Sequence, residues 1–204
     1  MTSVVILDYG SGNLRSAERA VARTGVDVTV TSDLDAAAAA DGLFVPGVGA
    51  YAACMAGIEE LGAGPVIAER VAAGRPVLGV CVGMQILFDS GVEHGVETKG
   101  LGLLPGVVSK LDADRIPHMG WNTVDIPEKS NLFSGLPRDA RFYFVHSYAA
   151  RDLGALSGAT VTTASHDQPF AAAVERGSLT ATQFHPEKSA DAGYALLRNW
   201  VAGL

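Results

Sequence analysis

The chain has 204 residues, 48% of them apolar, and a formal net charge of −7, which suits one sizeable buried core in a single domain spanning 1–204. The negative balance without a basic cluster argues against nucleic acid, and no apolar run reaches membrane-spanning length. The two cysteines, Cys54 and Cys81, sit in unlike surroundings and make no disulfide framework, so a reducing, cytoplasmic setting is expected.

Val4 to Leu7 reads as a first strand, and Asp8 directly after it rules against a secretory signal. Asp8-Tyr9-Gly10-Ser11-Gly12-Asn13 then occupies the place of a dinucleotide-binding loop. It lacks the third glycine in register, and a tight turn capped by Ser11 or Asn13 is the expected structure. Leu14, Ala17 and Val21 recur at helical spacing, and Val26, Val28 and Val30 alternate as a second strand. The block Ala36 to Ala40 is helix-prone, Leu43-Phe44-Val45 is a third strand, and a helix carrying Cys54 follows the loop Pro46-Gly47-Val48-Gly49. Cys54, with no glycine frame, reads as a structural residue.

Val77 to Val80 forms the next strand, and Met84 to Phe88 is expected to open a helix directly after Cys81. Beyond about Leu101 short strands and turns dominate, including Phe142 to Val145, Ala159 to Thr163, Ala171 to Val174 and Leu179 to Phe184. A last helix carries Tyr194, Leu197 and Val201. Strands alternating with helices imply an α/β fold: a doubly wound, mostly parallel or mixed sheet with flanking helices.

The chemistry centres on Gly79-Val80-Cys81-Val82-Gly83. A thiol on a sharp strand-to-helix turn stands at the carboxyl edge of the sheet, and the glycines remove side chains that would collide there. This is a nucleophile elbow with Cys in place of Ser. The Val82 amide is the natural first donor to an oxyanion, and Val48, in a glycine loop at the same edge, supplies a second after a peptide rotation. By itself a glycine-framed cysteine is as well explained as a small buried hydrophobe; the partner motif His185-Pro186-Glu187 decides. Residues two apart on an extended segment point the same way, so Glu187 is expected to hold the far nitrogen of His185 while His185 serves Cys81. Metal ligation is the weaker reading of His185 and Glu187, because the chain has no Cys-x-x-Cys or His-x-x-x-His pair; no metal and no cofactor are expected.

Pro46-Gly47-Val48-Gly49, Gly79 to Gln85 and His185-Pro186-Glu187, in this order, resemble the triad-type glutamine amidotransferases. Asp8 to Asn13, Pro117-His118-Met119-Gly120-Trp121-Asn122 and Phe142 to Tyr148 resemble the branch serving imidazole glycerol phosphate synthases of histidine biosynthesis. The resemblance spans essentially the whole chain. It implies hydrolysis of glutamine by Cys81, His185 and Glu187, with Gly49, Gln85, Ser147 and Tyr148 holding the substrate. It further implies a heterodimer with a cyclase subunit of (β/α)8 barrel fold. Pro117, His118, Met119, Gly120, Trp121, Asn122, Tyr143 and Lys188 would lie at or near that interface. The rival readings are a glutaminase for another synthase, such as anthranilate or pyridoxal phosphate synthase, and a stand-alone cysteine hydrolase.

Overall fold

The computed structural model describes residues 2–204. The chain opens with β1 (Ser3–Leu7), α1 (Leu14–Ala22), β2 (Asp27–Thr31), α2 (Leu34–Ala39) and β3 (Gly42–Val45). Next come α3 (Tyr51–Leu61), α4 (Ala63–Ala72), β4 (Val77–Val80) and the single turn α5 (Val82–Gln85). The second half holds β5 (Phe88–Glu93), β6 (Val96–Lys99), β7 (Leu104–Lys110), β8 (His118–Thr123), β9 (Arg141–His146) and β10 (Tyr148–Ala150). It closes with β11 (Thr160–His166), β12 (Gln168–Arg176), β13 (Leu179–Thr182) and α6 (Ala190–Ala202).

Seven strands form one sheet in the order β11-β12-β13-β4-β3-β1-β2. β2, β1, β3, β4 and β13 run parallel, and β12 and β11 continue the sheet antiparallel. The central strands β3 and β4 are buried along their whole length, as expected of parallel strands covered on both faces, whereas edge strand β2 alternates. α1 packs Ala17 and Val21 inward, and Asp33 caps α2 by accepting from the amides of Asp35 and Ala36. The end of α2 is closed from afar. Buried Arg70 donates to the carbonyls of Ala37, Ala38, Ala40, Asp41 and Pro76, which ties α4 to α2 and to the approach to β4.

The expected helix over Met84 to Phe88 is not formed. α5 stops at Gln85 because the carbonyls of Ile86 and Leu87 accept from the amides of Leu101, Leu103 and Leu104, and Phe88 already opens β5. β5 belongs to a second sheet, ordered β10-β7-β5-β6, and β8 and β9 form a separate hairpin. Ser11 and Asn13 do not cap α1 either. Among the described residues Asn13 makes no side-chain cap bond, and Ser11 reaches instead to Val48.

The topology places the site. Thr182 of β13 is in register with Val80 of β4, and Val45 of β3 is in register with Gly79, so three loops leave the same carboxyl edge side by side. Such an edge is where open α/β sheets bind ligands.

Candidate active site

Cys81 follows β4 with φ 57° and ψ −115°, a backbone conformation that L-residues seldom adopt and that costs on the order of 1–3 kcal/mol. Its neighbours hold it there. The Cys81 amide donates to the Thr182 carbonyl at 2.8 Å, and the Cys81 carbonyl accepts from the amides of Met84 and Gln85. The glycine frame serves close approach. A Cβ on Gly83 would stand 2.1 Å from the Val45 carbonyl oxygen, and one on Gly47 would stand 2.3 Å from the Gly83 nitrogen. The strand ends of β3 and β4 can touch only without side chains at those positions. Because α5 is a single turn, individual amides rather than a long helix dipole face the thiol.

His185 stands at the matching point beyond β13. Its amide donates to the Tyr143 carbonyl at 3.0 Å, and its carbonyl accepts from Ser189 Oγ, which in turn accepts from the Tyr143 amide. Glu187 does not reach His185 along an extended segment as the sequence suggested. Residues Pro186–Lys188 form a 3-10 turn, and this folds Glu187 Oε1 back to 2.7 Å from His185 Nδ1. Both side chains are nearly enclosed, and Glu187 Oε2 has no partner among the described residues. With Nδ1 taken, Nε2 is left for Cys81. Burial disfavours the imidazolium, but hydrogen bonding to Cys81 and Glu187, with their charges, outweighs it and raises the His185 pKa to about 9.

Cys81, His185, Val48, Gly49, Val82, Gln85, Ser147, Tyr148 and Lys188 line one pocket of about 210 Å³. Gln85 works partly inside the wall: both protons of its Nε2 are used, on the Tyr148 carbonyl at 2.8 Å and Gln183 Oε1 at 3.0 Å. Only its Oε1 remains for a ligand.

The two expected oxyanion donors are engaged elsewhere. The Val82 amide donates to the Gly47 carbonyl at 3.3 Å, and the Val48 amide donates to Ser11 Oγ at 3.3 Å. Both bonds involve the same peptide plane, Gly47–Val48.

Residues 5–203 match the family described as glutamine amidotransferase class-I. The chain belongs to the class-I glutamine amidotransferases. Its similar relatives include imidazole glycerol phosphate synthase subunit HisH of Mycolicibacterium paratuberculosis, 65% identical over 99% of this chain and 98% of that protein. The HisH subunit of Streptomyces avermitilis is 58% identical over 98% and 96%. Among solved structures, a glutamine amidotransferase superposes with TM-score 0.77 at 22% identity, covering 98% of this chain and 99% of that one. PurLQS from Thermotoga maritima superposes with TM-score 0.74 at 17% identity, covering 99% and 98%. At those identities the structures speak for the fold.

In this amidotransferase, sequence reasoning missed Glu93. It lines the pocket at the end of β5, and its Oε2 accepts from the amide of Tyr51 at the start of α3. A carboxylate held at a helix start beside the nucleophile's pocket suits a cationic ligand group. No local signal marks it, because the strand that carries it, β5, was not among the expected elements.

The stretch expected at the partner interface divides by strand alternation. Met119 and Trp121 are 66% and 51% exposed, unusual for such large apolar side chains, and Pro117 is also exposed. Trp121 packs edge-on against Tyr143 across the hairpin, with ring centroids 6.0 Å apart. His118 instead faces inward, as does the Asn122 amide, and Lys188 sits at the pocket. Asn122 Nδ2 meets His118 Nε2 at 3.2 Å, His118 Nδ1 meets His146 Nε2 at 2.9 Å, and His146 Nδ1 meets the Tyr148 carbonyl at 2.9 Å. A carbonyl only accepts, so His146 carries its proton on Nδ1, and the same step fixes His118 as the Nδ1–H tautomer. The amidotransferase family's pocket wall is thus joined to the exposed hairpin through two neutral histidines.

Proposed function

We propose that this chain is the glutaminase subunit of an imidazole glycerol phosphate synthase, hydrolysing glutamine and passing the ammonia to a cyclase subunit in histidine biosynthesis. The observation that carries the reading is the convergence of Cys81 and His185, the latter held from behind by Glu187, on one pocket whose walls also hold a carboxylate and a free amide oxygen. Relatives called HisH at 65% and 58% identity over nearly the full chain support the choice of pathway.

In this reading the Cys81 thiolate attacks the side-chain carboxamide of glutamine. The imidazolium of His185 gives its proton to the departing nitrogen, and the neutral imidazole then draws a proton from the water that hydrolyses the γ-glutamyl thioester. Glu187 fixes the ring through Nδ1 and favours its charged state. Glu93 attracts the substrate's ammonium group, and Gln85 Oε1 accepts from its carboxamide. Gly49, Ser147 and Tyr148 close around the amino-acid head. Val82 and Val48 amides receive the oxyanion.

Those amides become available together. Turning the Gly47–Val48 peptide by half a revolution withdraws the Gly47 carbonyl from Val82 and swings the Val48 amide toward Cys81. Each such donor is worth on the order of a hundredfold in kcat, so the resting chain is a slow glutaminase. A slow resting state is useful here, because ammonia freed into neutral water is mostly protonated and lost as a nucleophile. The cyclase, a (β/α)8 barrel in this reading, docks on Met119, Trp121, Pro117 and Tyr143, with Lys188 nearby. Tyr143 is well placed to transmit contact, since its backbone holds both His185 and Ser189.

The test mixes the purified chain with a candidate cyclase and follows glutamate release with and without the cyclase's nucleotide ligand. Release that rises on adding both, and vanishes in Cys81→Ala, is expected. A stimulated rate untouched by Cys81→Ala would refute the thiol mechanism, and absence of stimulation would refute the synthase assignment.

A further inference from the structure

The Val48 segment is gripped from one side by residues that the proposed mechanism does not use. Ser11, in the loop after β1, donates from Oγ to the Val48 carbonyl at 2.9 Å and accepts from the Val48 amide at 3.3 Å. Cys54, fully buried on α3, places Sγ 3.2 Å from Ser11 Oγ and 3.4 Å from the same Val48 carbonyl. Tyr9, buried beside them, donates its hydroxyl to the Pro46 carbonyl. Burial pushes the Cys54 thiol above its ordinary range, so it stays a protonated donor at neutral pH. The three side chains come from two elements far apart in sequence, yet they meet on one short backbone run.

The direction of this grip is what matters. Every bond that Ser11 and Cys54 make to Val48 is present while the Val48 amide points away from Cys81, and the amide's bond to Ser11 must break before that amide can face the thiol. We propose that Ser11 and Cys54 are positioning residues that latch the Val48 peptide in its unproductive orientation, so that they set the resting rate of the glutaminase rather than its chemistry. Cys54 is then the backing of the latch: it holds Ser11 and the Val48 carbonyl together without touching substrate. The inference rests on the glutaminase reading and adds to it a cause for the low unstimulated rate within this chain.

A latch and a merely structural contact differ in sign. Removing a structural contact lowers the resting and stimulated rates together. Removing a latch raises the resting rate and leaves the stimulated rate alone. Ser11→Ala is expected to raise unstimulated kcat about three- to tenfold, the worth of one modest hydrogen bond, with KM and the stimulated rate unchanged. Cys54→Ala, which removes the backing of the same grip, is expected to act in the same direction and less strongly. In the unaltered chain the Val48 amide should exchange slowly with solvent for an exposed loop, and adding the cyclase with its nucleotide ligand should speed that exchange.

The latch is overturned if neither variant raises the resting rate, or if either lowers both rates in parallel. It is also overturned if the Val48 amide exchanges as freely as an unbonded loop amide. Cys81→Ala made alongside separates the two levels. If it leaves glutamate release intact, the glutaminase reading has failed. If it abolishes release while Ser11→Ala leaves the resting rate unchanged, only the latch has failed.

Discussion

A half-turn of the Gly47–Val48 peptide changes ψ of Gly47 and φ of Val48 together. Glycine absorbs its share at no steric cost, but Val48 is β-branched and is carried toward positive φ, where such a residue is strained by about 1–3 kcal/mol. Val48 is not among the residues with positive φ in this structure, so the resting orientation is the relaxed one. Val48→Gly is therefore expected to raise unstimulated glutamate release about tenfold, since glycine accepts either sign of φ; an unchanged rate would mean that the turn is not limited by this strain. Glu187 acts on the other partner of Cys81. Glu187→Gln keeps a hydrogen-bonding group near Nδ1 but removes the negative charge that helps to hold His185 protonated. It is expected to lower kcat by on the order of a hundredfold, and to shift the alkaline limb of the kcat profile to lower pH. A profile that drops in height without moving would place Glu187 in orientation alone.

At the scale of elements, the strength of Arg70 as a structural clasp is directly testable. Burial lowers its pKa to about 10, which still leaves it charged at neutral pH, and its guanidinium satisfies five carbonyls at the end of α2 and the approach to β4. Arg70→Ala leaves buried acceptors without donors, and a loss of about 2–4 kcal/mol is expected by urea unfolding, with glutaminase kinetics of the surviving fold unchanged. The elements of the first half were legible because their signals are local: Val4 to Leu7, Leu43 to Val45 and Val77 to Val80 are short apolar runs, and Leu14, Ala17 and Val21 mark a helix. The nucleophile turn was legible for the same reason, since Gly79, Cys81 and Gly83 lie within five positions. What escaped depends on distant partners. The helix expected at Met84 to Phe88 is cut short by amides of Leu101 to Leu104, and Ser11 prefers Val48 to a cap on its own helix. The Pro117 to Asn122 stretch was read as a block, whereas β8 alternates and turns His118 and Asn122 inward. Glu93 gave no signal because the strand that aims it was not foreseen.

For the molecule as a whole, the buried histidines divide the pH dependence of stability into two limbs of opposite sign. Burial, aided by neighbouring imidazoles, lowers His118 to about 4 and His146 to about 3, while His185 is raised to about 9 by partners that overcome burial. Unfolded histidines titrate near 6.5. Between about pH 4 and 6.5 the unfolded chain binds protons at positions 118 and 146 that the folded chain refuses, so stability falls as pH falls through that window. Between about 6.5 and 9 the folded chain keeps a proton on His185 that the unfolded chain has released. The His185 contribution is complete below 6.5 and is lost as pH rises toward 9. Stability is therefore expected to peak near pH 6.5, close to the crossing of the two limbs. Urea midpoints measured from pH 5 to 9 test this, because carboxylates titrate mostly below that range. His185→Gln should flatten the alkaline limb and leave the acid limb in place; His118→Asn should leave the alkaline limb in place and make the acid limb shallower, with the share of His146 remaining. An alkaline limb that persists in His185→Gln would mean that the proton on His185 is not what couples folding to pH above neutrality. His185 would then be neutral at rest, and it would have to take up a proton before it could serve the departing nitrogen.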